Sequence, residues 1–346
     1  MTLMADEIAE QPEAIARTLD VLLPERERLR RLVSGRRHVL VVARGSSDNA
    51  GVYGRYLLEV HAGRGAALAA PSLATHYAVR RDLSDSVVVS LSQSGHTAEI
   101  IETQQWAAAC GARTIAVTND PDSPLAAAAD LALVTAAGVE RAVPATKSYT
   151  AQLTALAVLA DALGPPARTL EPDLRRVPGA ISALLGPDAD AEVETALAVL
   201  ATAGDTLVTG RGLAYGTALE TALKLEETCL QPVRGLSYAD LRHGPMAIVD
   251  HELTAVLLAA GDGPMLEGMT ELARELGARG ARTVGIGGDR GFAAACATSV
   301  TGPDLPEAVA PIALIVPAQR IVEALARRRG LDPDRPRGLS KVTQTD

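Results

Sequence analysis

Short, saturated apolar runs alternate along this chain with longer stretches of helical spacing. His38-Val39-Leu40-Val41-Val42-Ala43, Ser86 to Leu91, Thr114-Ile115-Ala116-Val117-Thr118 and Leu131-Ala132-Leu133-Val134 are each β-rich and apolar without strict alternation. Strands of that kind belong to a parallel sheet covered on both faces, where neither side meets water. Helical patterns lie between them, among them one through Tyr53 to His61 and one that starts near Ala98. Gly164-Pro165-Pro166 closes this first unit, and Arg168 to Asp190, holding Pro172, Pro178 and Pro187, reads as a linker.

A second unit repeats the first. Leu40-Val41-Val42-Ala43-Arg44-Gly45 matches Leu207-Val208-Thr209-Gly210-Arg211-Gly212, and Gly111-Ala112-Arg113-Thr114 matches Gly280-Ala281-Arg282-Thr283 at nearly the same offset. Two matches in the same order indicate an internal duplication. The expectation is an α/β fold of two tandem units, each a doubly wound, flavodoxin-like parallel sheet flanked by helices. They are expected over 36–165 and 190–330, after an N-terminal helical segment 1–35 and before a tail 331–346.

The strand Ser86–Leu91 empties into Ser92-Gln93-Ser94-Gly95-His96-Thr97 at the mouth of a helix. Helix N-termini carry unpaired N–H groups and partial positive charge, so this turn suits an oxyanion. Without Lys or Arg in it, the guest is a sugar phosphate rather than a polyphosphate. Taken alone, the same residues also describe an ordinary serine-rich cap. In the duplicated unit the equivalent positions are Ala259-Ala260-Gly261, so the hydroxyls occur once, which favours a single anion site. Ser46 and Ser47, at another strand end, could reach the same anion; alternatively Ser47 or Asp48 simply caps the next helix.

Glu220, Lys224 and Glu227 share one stripe of a helical stretch from Thr217 to Leu230. They form either an exposed charge ladder or a partly desolvated general base, Glu227, bordered by Leu223 and Leu230. His243 stands in an irregular Leu241-Arg242-His243-Gly244-Pro245 segment, as a surface residue or as a proton-transfer group. The other histidines show no metal-ligand spacing. The Pro-rich tail is either a frayed end or a fixed path that delivers Lys341 to a site.

Composition removes several classes. The net charge of −9 argues against nucleic acid or an anionic membrane as partner. With aromatics at 2%, the core is built from Leu, Val, Ile and Ala. Cys110, Cys229 and Cys296 are odd in number and widely spaced, as buried thiols of a reducing compartment would be. Acidic residues Asp6, Glu7, Glu10 and Glu13 have the wrong sign for a targeting peptide, and the apolar run near Ala308 to Ala318 is too short to span a bilayer. A cytoplasmic protein is expected.

Together these blocks resemble the sugar isomerase (SIS) domain family, and within it the isomerase half of glucosamine-6-phosphate synthases and the stand-alone glucosamine-6-phosphate deaminases. The resemblance runs from Glu7-Ile8-Ala9-Glu10-Gln11-Pro12 through the 92–97 turn, Val143-Pro144-Ala145-Thr146-Lys147, Ala218 to Glu227 and His243-Gly244-Pro245 to Lys341. It implies a homodimer with a shared active site, no cofactor and no metal. It further implies that Ser47, Ser92, Gln93, Ser94 and Thr97 hold a 6-phosphate, with Ser46 beside them at the same strand end, while Val143 and Ala145 line the sugar through backbone groups. Glu227 would carry a proton between C1 and C2, with Glu220 and Lys224 in support. His243, from the partner subunit, would open the ring, and Lys341 would act at C2 as Schiff-base former or electrostatic stabiliser. Ala145 replaces a serine, His96 a glutamate, and Asp240 and Arg242 the usual Glu and Lys before the histidine. No cysteine lies near Met1, so no glutaminase nucleophile is expected. The activity implied is conversion of glucosamine 6-phosphate and water to fructose 6-phosphate and ammonia. The alternatives are galactosamine-6-phosphate deamination, fructosamine-phosphate deglycation, aldose–ketose isomerisation, or a non-catalytic sugar-phosphate sensor.

Overall fold

The computed structural model describes residues 2–341; the end of the expected tail, 342–346, lies outside the described residues. Two five-stranded, all-parallel sheets carry the fold, ordered β2-β1-β3-β4-β5 and β7-β6-β8-β9-β10. The first contains β1 (His38–Val42), β2 (Gly65–Leu68), β3 (Ser86–Leu91), β4 (Arg113–Thr118) and β5 (Leu131–Val134). The second contains β6 (Thr206–Gly210), β7 (Val233–Ser237), β8 (Thr254–Ala259), β9 (Arg282–Gly287) and β10 (Thr298–Val300). Read in chain order, each sheet has the same 2-1-3-4-5 arrangement, and its strand order reverses beside the first strand of the unit.

The duplication holds register for register. Val39 pairs with Ala66 on one side and Val87 on the other, and Val87 pairs with Arg113. The matching row in the second sheet is Val233, Thr206, Thr254 and Arg282. This ladder sets Ser92-Gln93-Ser94 opposite Ala259-Ala260-Gly261, as the sequence match does.

β2 and β7 were not among the expected strands. Each lies at a sheet edge and is only partly buried, so neither has the apolar saturation of β3 or β8, which are buried throughout. The expected linker at 168–190 is a correction: it folds into helical turns, including Glu171–Leu174 and Val177–Leu184. Pro172 and Pro178 stand within the first two positions of these helices, where a missing N–H costs nothing.

The chain divides into two compact units. One comprises residues 13–140, 147–175 and the described end from Ser340, around the first sheet; the other comprises 2–12, 141–146 and 176–339, around the second. Sixteen of the residues of the Lys147–Leu163 helix are buried, polar ones such as Thr150, Gln152 and Thr154 among them. In the other unit the helix Ala310–Arg328 plays that part, with Pro317 inside it. The tail is pinned there: the Asp334 carboxylate accepts the N–H groups of Leu3 and Met4 at 2.9 and 2.8 Å. No described helix is long and apolar enough to cross a membrane.

Candidate active site at the strand ends

Because β1 and β3 are neighbours, the turns that follow them open side by side at the carboxyl edge of the sheet, at its switch point. Open parallel sheets bind ligands there. Ser46 and Ser47 begin the helix Ser46–Val60 after β1, and Ser92 to Thr97 lead from β3 into the helix Ala98–Ala109. Arg44 ties the two turns together, donating to both carboxylate oxygens of Glu99 at 2.9 and 2.8 Å.

The capping alternative can now be decided. Neither helix has a side-chain cap: Gly45 precedes the first, and Thr97, at the cap position of the second, makes no capping bond. Thr97 Oγ1 lies instead 3.4 Å from Ser92 Oγ. Ser92 Oγ accepts the Gly95 N–H and Ser94 Oγ the His96 N–H, both at 3.2 Å, which shapes the turn. The side chains of Ser46, Ser47 and Gln93 are half-buried and make no hydrogen bond with any described residue. Gly95 sits at φ 67°, and a Cβ there would collide with the Ser123 side chain. His96 faces Asp120, 3.3 Å away at the end of β4.

The charged stripe belongs to the helix Tyr215–Cys229 in the other unit. Lys224 is 1% exposed and Glu220 0%. The Lys224 ammonium bonds Glu227 and lies 3.5 Å from Glu220, so the stripe is a buried cation between two carboxylates and not a solvated ladder. Only Glu227, with a quarter of its side chain exposed, reaches solvent. Leu230 is exposed and left-handed at the helix end. His243 ends the Tyr238–Arg242 helix with an exposed ring that bonds no described residue. Gly244, at φ 118°, allows the chain to leave it sharply.

Val143 and Ala145 are half-buried. The Val143 N–H donates to the Asp334 carbonyl at 2.9 Å, which leaves the Val143 carbonyl as its backbone group for a sugar. Lys341 lies 2.7 Å from Glu140, a buried carboxylate that sequence reasoning passed over. Its only signal was a single acid after an apolar run, too weak to single out.

No cluster of metal ligands occurs among the described residues. Burial pushes the Cys229 and Cys296 thiols up to about 12, so both are inert near neutrality.

A model of the SIS domain matches residues 32–162. A protein of Silicibacter pomeroyi, provisionally described as a phosphosugar isomerase, is 31% identical and superposes with a TM-score of 0.85 over 96% of this chain and 100% of that one. The C-terminal domain of glucosamine-fructose-6-phosphate aminotransferase from Francisella tularensis superposes at 0.86, with 27% identity, 97% of this chain and 98% of that one. The glutamine–fructose-6-phosphate aminotransferase (isomerizing) of Zymomonas mobilis is 34% identical over 98% of this chain but only 58% of its own length. The chain thus spans somewhat over half of the curated relatives it matches. With two register-matched α/β units, a hydroxyl-lined switch point and these likenesses, the chain belongs to the SIS family of phosphosugar isomerases.

Proposed function

We propose that this protein deaminates and isomerises an amino-sugar phosphate, taking glucosamine 6-phosphate and water to fructose 6-phosphate and ammonia. The observation that carries the reading is the set of hydroxyls after β1 and β3, which no helix uses as caps. Ser46, Ser47, Ser92, Gln93, Ser94 and Thr97 would donate to the 6-phosphate. His243, supplied by a second copy of the chain in a homodimer, would open the ring. Glu227 would then take the C2 proton and return it at C1 while a proton passes from the amine nitrogen to O1, turning the 2-amino aldehyde into a 2-imino sugar. Water adds at C2, and ammonia leaves. Lys341 would act at C2 in this last exchange, and Ala145 with the Val143 carbonyl would line the sugar. Lys224 supports the proposal by fixing the Glu227 carboxylate. The reaction needs no redox step, and the unpaired thiols suit a cytoplasmic setting.

The test is to incubate the purified protein with glucosamine 6-phosphate and measure ammonia and fructose 6-phosphate together. Both appearing in equal amounts is the expected result; neither appearing would defeat the reading. The aminotransferase names of the curated relatives favour a second reading, amination of fructose 6-phosphate at the same site. Glucosamine 6-phosphate formed faster from fructose 6-phosphate and ammonium than it is consumed would select it. Galactosamine 6-phosphate in parallel tests the C4 configuration.

A further inference from the structure

The chain holds three lysines, Lys147, Lys224 and Lys341, among 33 basic residues; the rest are arginines. Arginine therefore serves almost every place where a positive charge is enough. An ammonium is a compact charge that can lose its proton and react, which a guanidinium does not do. Lys147 and Lys224 are buried, at 2% and 1% exposure, whereas a quarter of the Lys341 side chain meets solvent. Lys341 is thus the one accessible side-chain amine of the chain.

That amine does not hang in solvent. Its Nζ lies 2.7 Å from Glu140 Oε2, and the Glu140 side chain is wholly buried. Glu140 is itself fixed from the other side: it accepts the Ser148 N–H at 3.0 Å and the Ser148 hydroxyl at 2.6 Å. Ser148 stands in the first turn of the Lys147–Leu163 helix, whose positive end faces the carboxylate. Burial pushes the Glu140 carboxyl up, but Lys341 and Ser148 outweigh it and hold it below the usual range.

We propose that Glu140 is a positioning residue that acts through Lys341, its helix-anchored carboxylate fixing where the amine is presented. The proposal rests on Lys341 being the group that acts at C2. A group misplaced by about 1 Å loses on the order of 100-fold in rate, so Glu140→Gln should lower kcat by that amount and leave KM nearly unchanged. The sharper test is a cycle of Glu140→Gln, Lys341→Met and the double variant. If Glu140 acts through Lys341, it costs nothing further once Lys341 is gone; an equal loss in both backgrounds overturns the proposal. Ser148→Ala retains both charges but loosens Glu140, and should give a smaller kcat loss in the same direction.

A second readout is independent of turnover. Acetylation by an amine-reactive ester, followed by peptide mass spectrometry, should modify Lys341 faster in Glu140→Gln, where no ion pair holds the amine against a buried carboxylate. An unchanged rate shows that Glu140 does not hold the amine and overturns the proposal. A wild-type protein that turns over no amino-sugar phosphate overturns the functional reading instead, so the two failures are told apart.

Discussion

At the scale of single residues, the arrangement of Glu220, Lys224 and Glu227 shows how the same spacing can carry two meanings. On an exposed helix it would be an i,i+4 pair worth about 0.3–0.5 kcal/mol. Here Lys224 and Glu220 are buried, and the ammonium neutralises one carboxylate that never sees water and one that does. Lys224→Met should therefore destabilise the protein by about 3–5 kcal/mol, because it strands buried charge, and a urea midpoint reads this directly. A change below 1 kcal/mol would mean that the stripe is not a buried network. Glu227→Gln keeps the shape and removes the proposed proton carrier. Turnover should drop by roughly 10²- to 10⁴-fold while sugar-phosphate binding, followed by calorimetry, stays within about threefold. Unaltered turnover would take the proton transfer away from Glu227.

At the scale of elements, the turn from β3 into the Ala98–Ala109 helix is held by its backbone and by its neighbours. Gly95 combines a left-handed φ with a side-chain wall, Ser123 and Thr118, on the only path a Cβ could take. Gly95→Ala should cost about 1–3 kcal/mol and weaken phosphate binding as well, since the turn must shift to admit the methyl group. The corresponding loop after β8 makes a control. Gly261 has a negative φ and only one backbone oxygen nearby, so Gly261→Ala should leave sugar-phosphate affinity unchanged. Arg44 works at the same scale, joining two turns through Glu99. Arg44→Ala should raise the KM for a sugar phosphate more than it lowers kcat. Equal effects on both would argue that the clamp acts on the chemistry rather than on the anion.

For the whole molecule, two buried groups, His61 and Glu140, contribute to the response to acid in different ranges. Burial lowers the His61 pKa below 6.5, so its contribution to stability is complete above that value and is lost as pH falls through the folded pKa. Glu140 is held below the ordinary 4.5, so its contribution is lost later, as pH falls beneath that value. Urea midpoints measured from pH 7 down to about pH 3 should decline in that order. Glu140→Gln should flatten the lower part of the curve alone; a flattened upper part would contradict the assignment.

The sequence by itself determined the layering, the duplication and the place of the hydroxyl turn. Each of these is written in local patterns: saturated apolar runs, two matching strand-turn segments, and three hydroxyls and a glycine after a strand. Edge strands β2 and β7 escaped because half-exposed strands carry no saturated run, and the prolines of 168–190 read as breakers although they begin helices. Only the tertiary structure decided that the hydroxyls are not caps, that the Val143 N–H is spent, and that Lys341 rests on Glu140. The last two residues are 201 positions apart. Contacts at that separation depend on how the chain packs, and no periodicity along it records them.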